Sequence, residues 1–231
     1  MRRRASHSLE AVLSEAVALL DEAGEPALTF RALAARLGGG VGSIYWYVAG
    51  KDELLDRAAD HVMGDVLRAT DDVIGLDDPI AELRAVAVTL FDAVERRPWL
   101  AAYFMTNTDV QPNTMRMYER LGRPLLRLNL TARQRFHAAS AVVGFVIGTA
   151  ADLGQQPPPE VVDGSIGRDE YIGRFAEDWR RLDPDEFPFV HEIVDEFARH
   201  DDTEQFRAGL DLILEGLRRQ ADPGGSSAIA R

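Results

Sequence analysis

The chain of 231 residues has no cysteine. That absence excludes a disulfide scaffold, thiolate catalysis and any zinc or iron–sulfur site built on Cys. Basic residues are scarce: 26 Lys+Arg face 38 Asp+Glu, for a formal net charge of −12. Over the whole chain this argues against a nucleic-acid partner, since affinity for DNA comes largely from neutralising phosphates. Long apolar runs are lacking too. The most apolar stretch, Val142 to Ala151, ends at Asp152; it falls short of the ~20 residues a bilayer span needs and reads as a buried helix. The start Arg2-Arg3-Arg4 is basic, but no apolar run comes after it, because Glu10, Glu15 and Asp21 intervene. No signal peptide and no membrane contact are therefore expected, and the chain is predicted to be cytoplasmic.

What is present is the composition of an ordinary globular protein, 46% hydrophobic and 28% charged. This excludes wholesale disorder, and the length suits one large domain or two small ones. The charge is uneven. Residues 1–51 hold six bases (Arg2, Arg3, Arg4, Arg31, Arg36, Lys51) against five acids (Glu10, Glu15, Asp21, Glu22, Glu25), so the remainder carries −13. Such asymmetry hints at a separate interaction module.

Apolar residues recur at helical spacing almost throughout. Leu9, Val12, Leu13, Ala16, Leu20 and Ala23 share one face of a helix, with Ser8 as N-cap and Gly24 as a stop. Thr29 caps a short helix carrying Phe30, Leu33, Ala34 and Leu37, broken by Gly38-Gly39-Gly40. A third helix is predicted over about 42–48, and a fourth from Lys51 to about 70. Longer helices are predicted over 78–97, 111–128, 131–154 and 203–220, with shorter ones over 99–107, 168–182 and 186–199. Residues 155–167, with Pro157-Pro158-Pro159, read as a loop, and residues 222–231 as a disordered tail. No strand-period run or internal repeat occurs, so the fold class is all-α.

Two short helices separated by a glycine turn, after a longer helix, is the helix-turn-helix layout. The second helix must be propped so that its outer face enters the major groove. Ile44 and Val48, four apart, would face inward, leaving Gly42, Ser43, Tyr45, Trp46 and Tyr47 on or near the outer face. Phenol and indole donors can bond phosphates while their rings pack on sugars or thymine methyls. Lys51 and Thr29 sit at helix N-termini, where a phosphate is favoured. Taken on spacing alone, the same aromatics and glycines would equally build a small helical core.

The run Leu28-Thr29-Phe30-Arg31-Ala32-Leu33-Ala34-Ala35-Arg36-Leu37-Gly38 and the run from Gly42-Ser43-Ile44-Tyr45-Trp46-Tyr47-Val48 to Lys51 and Leu55 together resemble the DNA-binding domain of the tetracycline-repressor (TetR) family. The resemblance implies that Ser43 and Tyr45 contact DNA and that Thr29, Trp46, Tyr47 and Lys51 hold its backbone. Arg31 matches a base-reading arginine. Gly40, Val41 and Gly42 depart from the repressor's polar or Pro residues; Val41 and Gly42 offer only apolar contact or close approach, so a different operator is implied. The runs His200–Gln220 and Val143–Thr149 resemble the C-terminal helices of the tetracycline repressor's own subgroup. This implies a homodimer joined by helices 131–154 and 203–220, with Gly144 and Gly148 permitting close approach. It implies a division into a helix-turn-helix domain (1–70) and an effector-binding and dimerisation domain (71–221). The partners implied are a pseudo-palindromic double-stranded operator and a small-molecule effector.

Phe91, Trp99, Tyr103, Phe104, Met115, Met117, Phe136 and Phe145 are candidate lining residues of the effector pocket, since aromatics and Met make adaptable apolar walls; any of them would also serve as plain core. Asn107, Asn113 and His137 are the polar candidates. The repressor's magnesium-binding histidine has no counterpart near Tyr103 or Phe104, so a magnesium–tetracycline chelate is not expected; a largely apolar or aromatic effector is, with no metal or cofactor. Enzyme readings lack their motifs. No paired Glu-x-x-His occurs, and His191-Glu192 with Asp195 lacks a second His for zinc. Nor is there a G-x-S-x-G motif, a P-loop or a dinucleotide fingerprint. A helical protein–protein adaptor is the other reading, and the aromatic-plus-Lys51 pattern argues against it.

Overall fold

The computed structural model describes residues 7–107, 109–154 and 158–222. Among these residues all regular structure is helical: α1 Leu9–Ala27, α2 Phe30–Arg36, α3 Val41–Ile44, α4 Lys51–Ala69, α5 Pro79–Glu95, α6 Pro98–Thr106, α7 Pro112–Leu126, α8 Ala132–Leu153, α9 Pro159–Val162, α10 Arg168–Arg180, α11 Pro188–Arg199 and α12 Asp202–Ala221. A 3₁₀ turn covers Asp71–Val73. The starts obey the expected chemistry. Ser8, Thr29 and Asp78 each accept a backbone N–H of their own helix, and Thr131 and Gln134 close a capping box on α8. Proline opens α5, α6, α7, α9 and α11, where its missing N–H costs nothing.

Two differences from expectation are local. Residues 159–162 form a helical turn inside the predicted loop, too short to leave a periodic signal. Asp222 N donates to Arg218 O, so that residue closes the last turn of α12; the rest of the predicted tail, like Arg2-Arg3-Arg4, lies outside the described residues.

The chain forms two compact units, Met1–Gly154 with Leu210–Arg231, and Gln155–Gly209. The expected boundary near residue 70 is where α4 ends, but it does not separate these units. In the first, α1 packs on α2, α4 and α6, and α5 packs on α7 and α8. Helix α5 buries Leu83, Val86, Ala87, Leu90, Phe91 and Val94, on so wide an arc that it is the centre of this core. Its one buried carboxylate, Glu82, accepts from Gly75 N and from the Arg127 guanidinium, as a buried charge requires. In the second unit α10 packs on α11, and Trp179 stacks on Phe197 with ring centroids 4.1 Å apart.

Helix α8 corrects an expectation. At 22 residues it is long and apolar enough, by length and composition, to cross a membrane. It is not a buried helix: only Ala139, Val142, Val146 and Ala150 are buried. Phe136, His137, Ser140, Ala141 and Gly144 are exposed on another face. The apolar run alone did not reveal that one chain covers only part of this helix.

Candidate nucleic-acid interface and effector cavity

Helix α2 ends on Gly38 with φ +68°. Gly39 N donates to Ala34 O at 2.9 Å and Gly38 N to Ala35 O at 3.2 Å. This pair of bonds is a Schellman motif, and the left-handed residue it needs is the reason for glycine there. The turn aims α3 across α2. Ile44 and Val48 are buried, as expected, and hold α3 against the core. The helix itself is shorter than predicted: regular bonding ends at Ile44 and the chain continues as a turn through Tyr47. Glycine, β-branched and aromatic residues are poor helix formers, so nothing extends it.

The outer surface divides in two. Arg31, Val41, Gly42, Tyr45 and Trp46 are exposed. Trp46 is 88% exposed, and Tyr45 leans edge-on against Phe30 with centroids 4.8 Å apart. An indole so bare has no role in the core. The other four candidates are engaged with their own chain. Thr29 Oγ1 accepts Ala32 N at 3.1 Å. Ser43 Oγ donates to Gly40 O at 2.6 Å. The Tyr47 hydroxyl donates to the His7 carbonyl, and this ring is half-buried, less open than its neighbours Tyr45 and Trp46. Lys51 Nζ lies 3.1 Å from Glu25 Oε1. Arg36 likewise binds Glu22, whose carboxyl it holds below the usual carboxylate range by hydrogen bonding. Of the described cations up to Lys51, only Arg31 has no carboxylate partner among the described residues.

Behind this head, α4 to α8 line a cavity of about 310 Å³ that opens to solvent past Met105 and Tyr118. Met63 of α4, Leu90 of α5, and Phe104 and Met105 of α6 form one part of its wall. Thr114, Met117, Tyr118 and Leu121 of α7 form another, facing Val143, Gly144, Ile147 and Gly148 of α8. Of the predicted pocket residues only Phe104 and Met117 are in this wall. Phe91 is buried in the core of α5. Asn107 is the exposed C-cap of α6, and Met115 points out of α7. Phe136 and His137 lie on the exposed face of α8. Gly144 and Gly148, expected at a close crossing with a second copy, line the cavity within this one.

Trp99 and Tyr103 leave the predicted pocket for a different task. Trp99 Nε1 donates to Asp21 Oδ1 of α1 at 2.6 Å, and the Tyr103 hydroxyl donates to Asp56 Oδ1 of α4 at 2.8 Å. Burial, then the Asp56 hydrogen bond, pushes the Tyr103 phenol well above its usual range. Helix α7 is pinned as well. Asp60 Oδ1 accepts Asn113 N at 2.7 Å and Thr114 N at 3.0 Å, while Asn113 Nδ2 donates to Asp60 O at 3.1 Å. Gly64 makes room for that amide; a Cβ there would lie 3.1 Å from Asn113 Nδ2. Sequence reasoning missed Asp21, Asp56 and Asp60. The only available signal was Asp56 and Asp60 sharing a face of α4 beside Ala59 and Met63.

Residues 12–58 match the bacterial regulatory proteins of the tetR family, and residues 75–221 match the tetracyclin repressor-like C-terminal domain. The chain belongs to the TetR family of transcriptional regulators. A TetR regulator of Streptomyces coelicolor of known structure is 37% identical, covering 94% of this chain and 100% of that one, with a TM-score of 0.79. The HTH-type transcriptional repressor DrrR1 of Streptomyces coeruleorubidus is 28% identical over 212 residues, 91% of this chain and 77% of the relative. ActR of Streptomyces coelicolor, in complex with actinorhodin, shares the fold at 22% identity and a TM-score of 0.78, covering 95% of this chain and 99% of that one. As a TetR-family regulator the chain has a helix-turn-helix DNA-binding domain, in α2 and α3, and a helical C-terminal domain.

Proposed function

We propose that this TetR-family regulator is a dimeric repressor that reads a pseudo-palindromic operator and is released by a small, largely apolar effector in the α4–α8 cavity. The observation that carries this reading is α4. Its first turn holds Lys51, at the reading head, and Met63, farther along the same helix, is in the cavity wall. A ligand that prefers a different placement of α4 therefore moves the head with it, and can shift DNA affinity only by its differential affinity for the two placements. The actinorhodin complex of ActR is consistent with a small-molecule effector.

In this reading Tyr45, Trp46, Val41 and Gly42 enter or flank the major groove, with Arg31 beside them. Ser43 and Thr29 approach the phosphates. Lys51 exchanges Glu25 for a phosphate, a small loss because exposed ion pairs contribute about 0–1 kcal/mol. Tyr47 braces the head through His7. A second copy covers the exposed face of α8 together with Leu212 of α12, which is 77% exposed; two-fold pairing then presents two heads one DNA turn apart. The test uses a duplex enriched from a random-sequence pool by the full chain. Tyr45→Ala and Lys51→Ala proteins are expected to lose this duplex yet sediment as dimers. Full-strength binding by both overturns the assignment of the reading surface, and a monomeric unmodified protein overturns the dimer.

A further inference from the structure

The cavity wall is apolar except at two side chains, and one of them is unsatisfied. Thr114 Oγ1 is buried and has no hydrogen-bond partner among the described residues. Buried hydroxyls are nearly always bonded, so one without a partner calls for a ligand or water to complete it. Around it the wall is apolar: Met63, Leu90, Met117, Leu121 and Ile147 offer no polar atom beyond the weak thioether acceptors, and the other polar side chain, Tyr118, is exposed. The backbone N–H of Thr114 is already committed to Asp60, which fixes where the hydroxyl stands.

The opposite wall explains the space. Gly144 and Gly148 contribute bare backbone from α8, and a Cβ at either would meet nothing within 4 Å. Neither glycine has the positive φ that would demand it. Two glycines one turn apart thus leave room where larger side chains would fill it. At about 310 Å³ the cavity lies at the small end of ligand pockets.

Resting on the proposed effector site, we infer that the cavity selects a compact ring compound of one or two fused rings, carrying a hydroxyl or carbonyl oxygen that Thr114 Oγ1 engages, with Gly144 and Gly148 supplying the space for the rings. Thr114 is the specificity-determining residue, because it separates an oxygenated ring from its parent hydrocarbon.

The probes are 1-naphthol and naphthalene, titrated by their own fluorescence into the full-length dimer or monomer as it exists in solution. The unmodified chain is expected to bind naphthol about 2- to 10-fold more tightly, the range of one neutral hydrogen bond. Thr114→Val, which keeps the shape and removes the hydroxyl, should bring the ratio to about one without weakening naphthalene binding. Gly148→Leu should abolish both affinities while circular dichroism and the melting transition stay native-like. A ratio near one in the unmodified protein, an unchanged ratio in Thr114→Val, or no binding of either probe overturns the inference. If Gly148→Leu folds and still binds both probes undiminished, the ligands sit elsewhere and the proposed effector site itself fails.

Discussion

The reading head and the cavity behind it are built by opposite means. The head is a surface whose shape comes from local rules: the Schellman turn at Gly38 and Gly39, the Thr29 cap, and two props at Ile44 and Val48. The cavity is a void whose shape comes from five helices meeting, with no local motif of its own. The head presents polar and aromatic tips to solvent and binds most of its described cations internally. The cavity hides its polar capacity behind Met, Leu and Phe. Local rules tolerate sequence change everywhere but a few positions, whereas a shared void responds to any helix that shifts. A regulator can thus keep its reading surface while its effector changes.

The polar pins between the two are where this contrast can be broken. The largest effect on DNA binding is expected at the surface itself. Trp46→Ala should weaken binding to the selected duplex about 10- to 100-fold, the loss of one well-placed contact of 1–3 kcal/mol, with an unchanged melting temperature; a fluorescence-anisotropy titration reads it. Next is Asp60→Ala. It removes the acceptor of two backbone N–H groups at the start of α7. Stability should fall by about 2–3 kcal/mol, since hydrogen bonds to charged groups are the strong ones, and DNA release by ligand should be blunted while ligand-free DNA binding persists. Denaturant unfolding and a release assay separate the two consequences.

Tyr103→Phe is milder, about 1 kcal/mol, because the ring stays and only the Asp56 hydrogen bond goes. The same phenol makes an alkaline prediction. Its folded-state pKa is raised, so its contribution is fully present below the unfolded value, about 10, and is lost as pH rises beyond it. Tyr103→Phe should therefore flatten the alkaline limb of a pH–stability profile. The smallest effect is expected at Asp78 and Asp211, whose carboxyls are held below the usual range chiefly by hydrogen bonds from Arg218 and Arg84. Their contribution is present above about pH 4 and lost as pH falls through the lowered values. Asp211→Asn should slightly flatten the acid limb.

The contrast also explains what could be read in advance. Helix positions follow from periodicity and caps: α4 is placed within a residue or two because Lys51 comes after Gly50, and α8 because 131–154 is the most apolar helical run. The inward pair Ile44 and Val48 came from spacing. The aromatic residue type could not tell Trp46, which is bare, from Tyr47, whose hydroxyl finds His7 forty residues away. Pocket residues were chosen by type, which found Phe104 and Met117 but also took in Trp99 and Tyr103, whose polar bonds go to α1 and α4. Two glycines and a threonine, the least conspicuous residues of the wall, give it its room and its polar point. Which side of a helix faces a void depends on neighbours distant in sequence, and no periodicity encodes it.

The half-covered helix α8 has a consequence for abundance. If, as proposed, a second copy completes its burial, association stabilises the fold and the melting temperature rises with protein concentration. A cell holding few copies would keep some of them as lone chains with Phe136 bare to solvent. Those chains would be the first substrates for chaperones and proteases. The number of working repressors would then depend more steeply than linearly on the number synthesised, which gives the switch a threshold before any effector arrives.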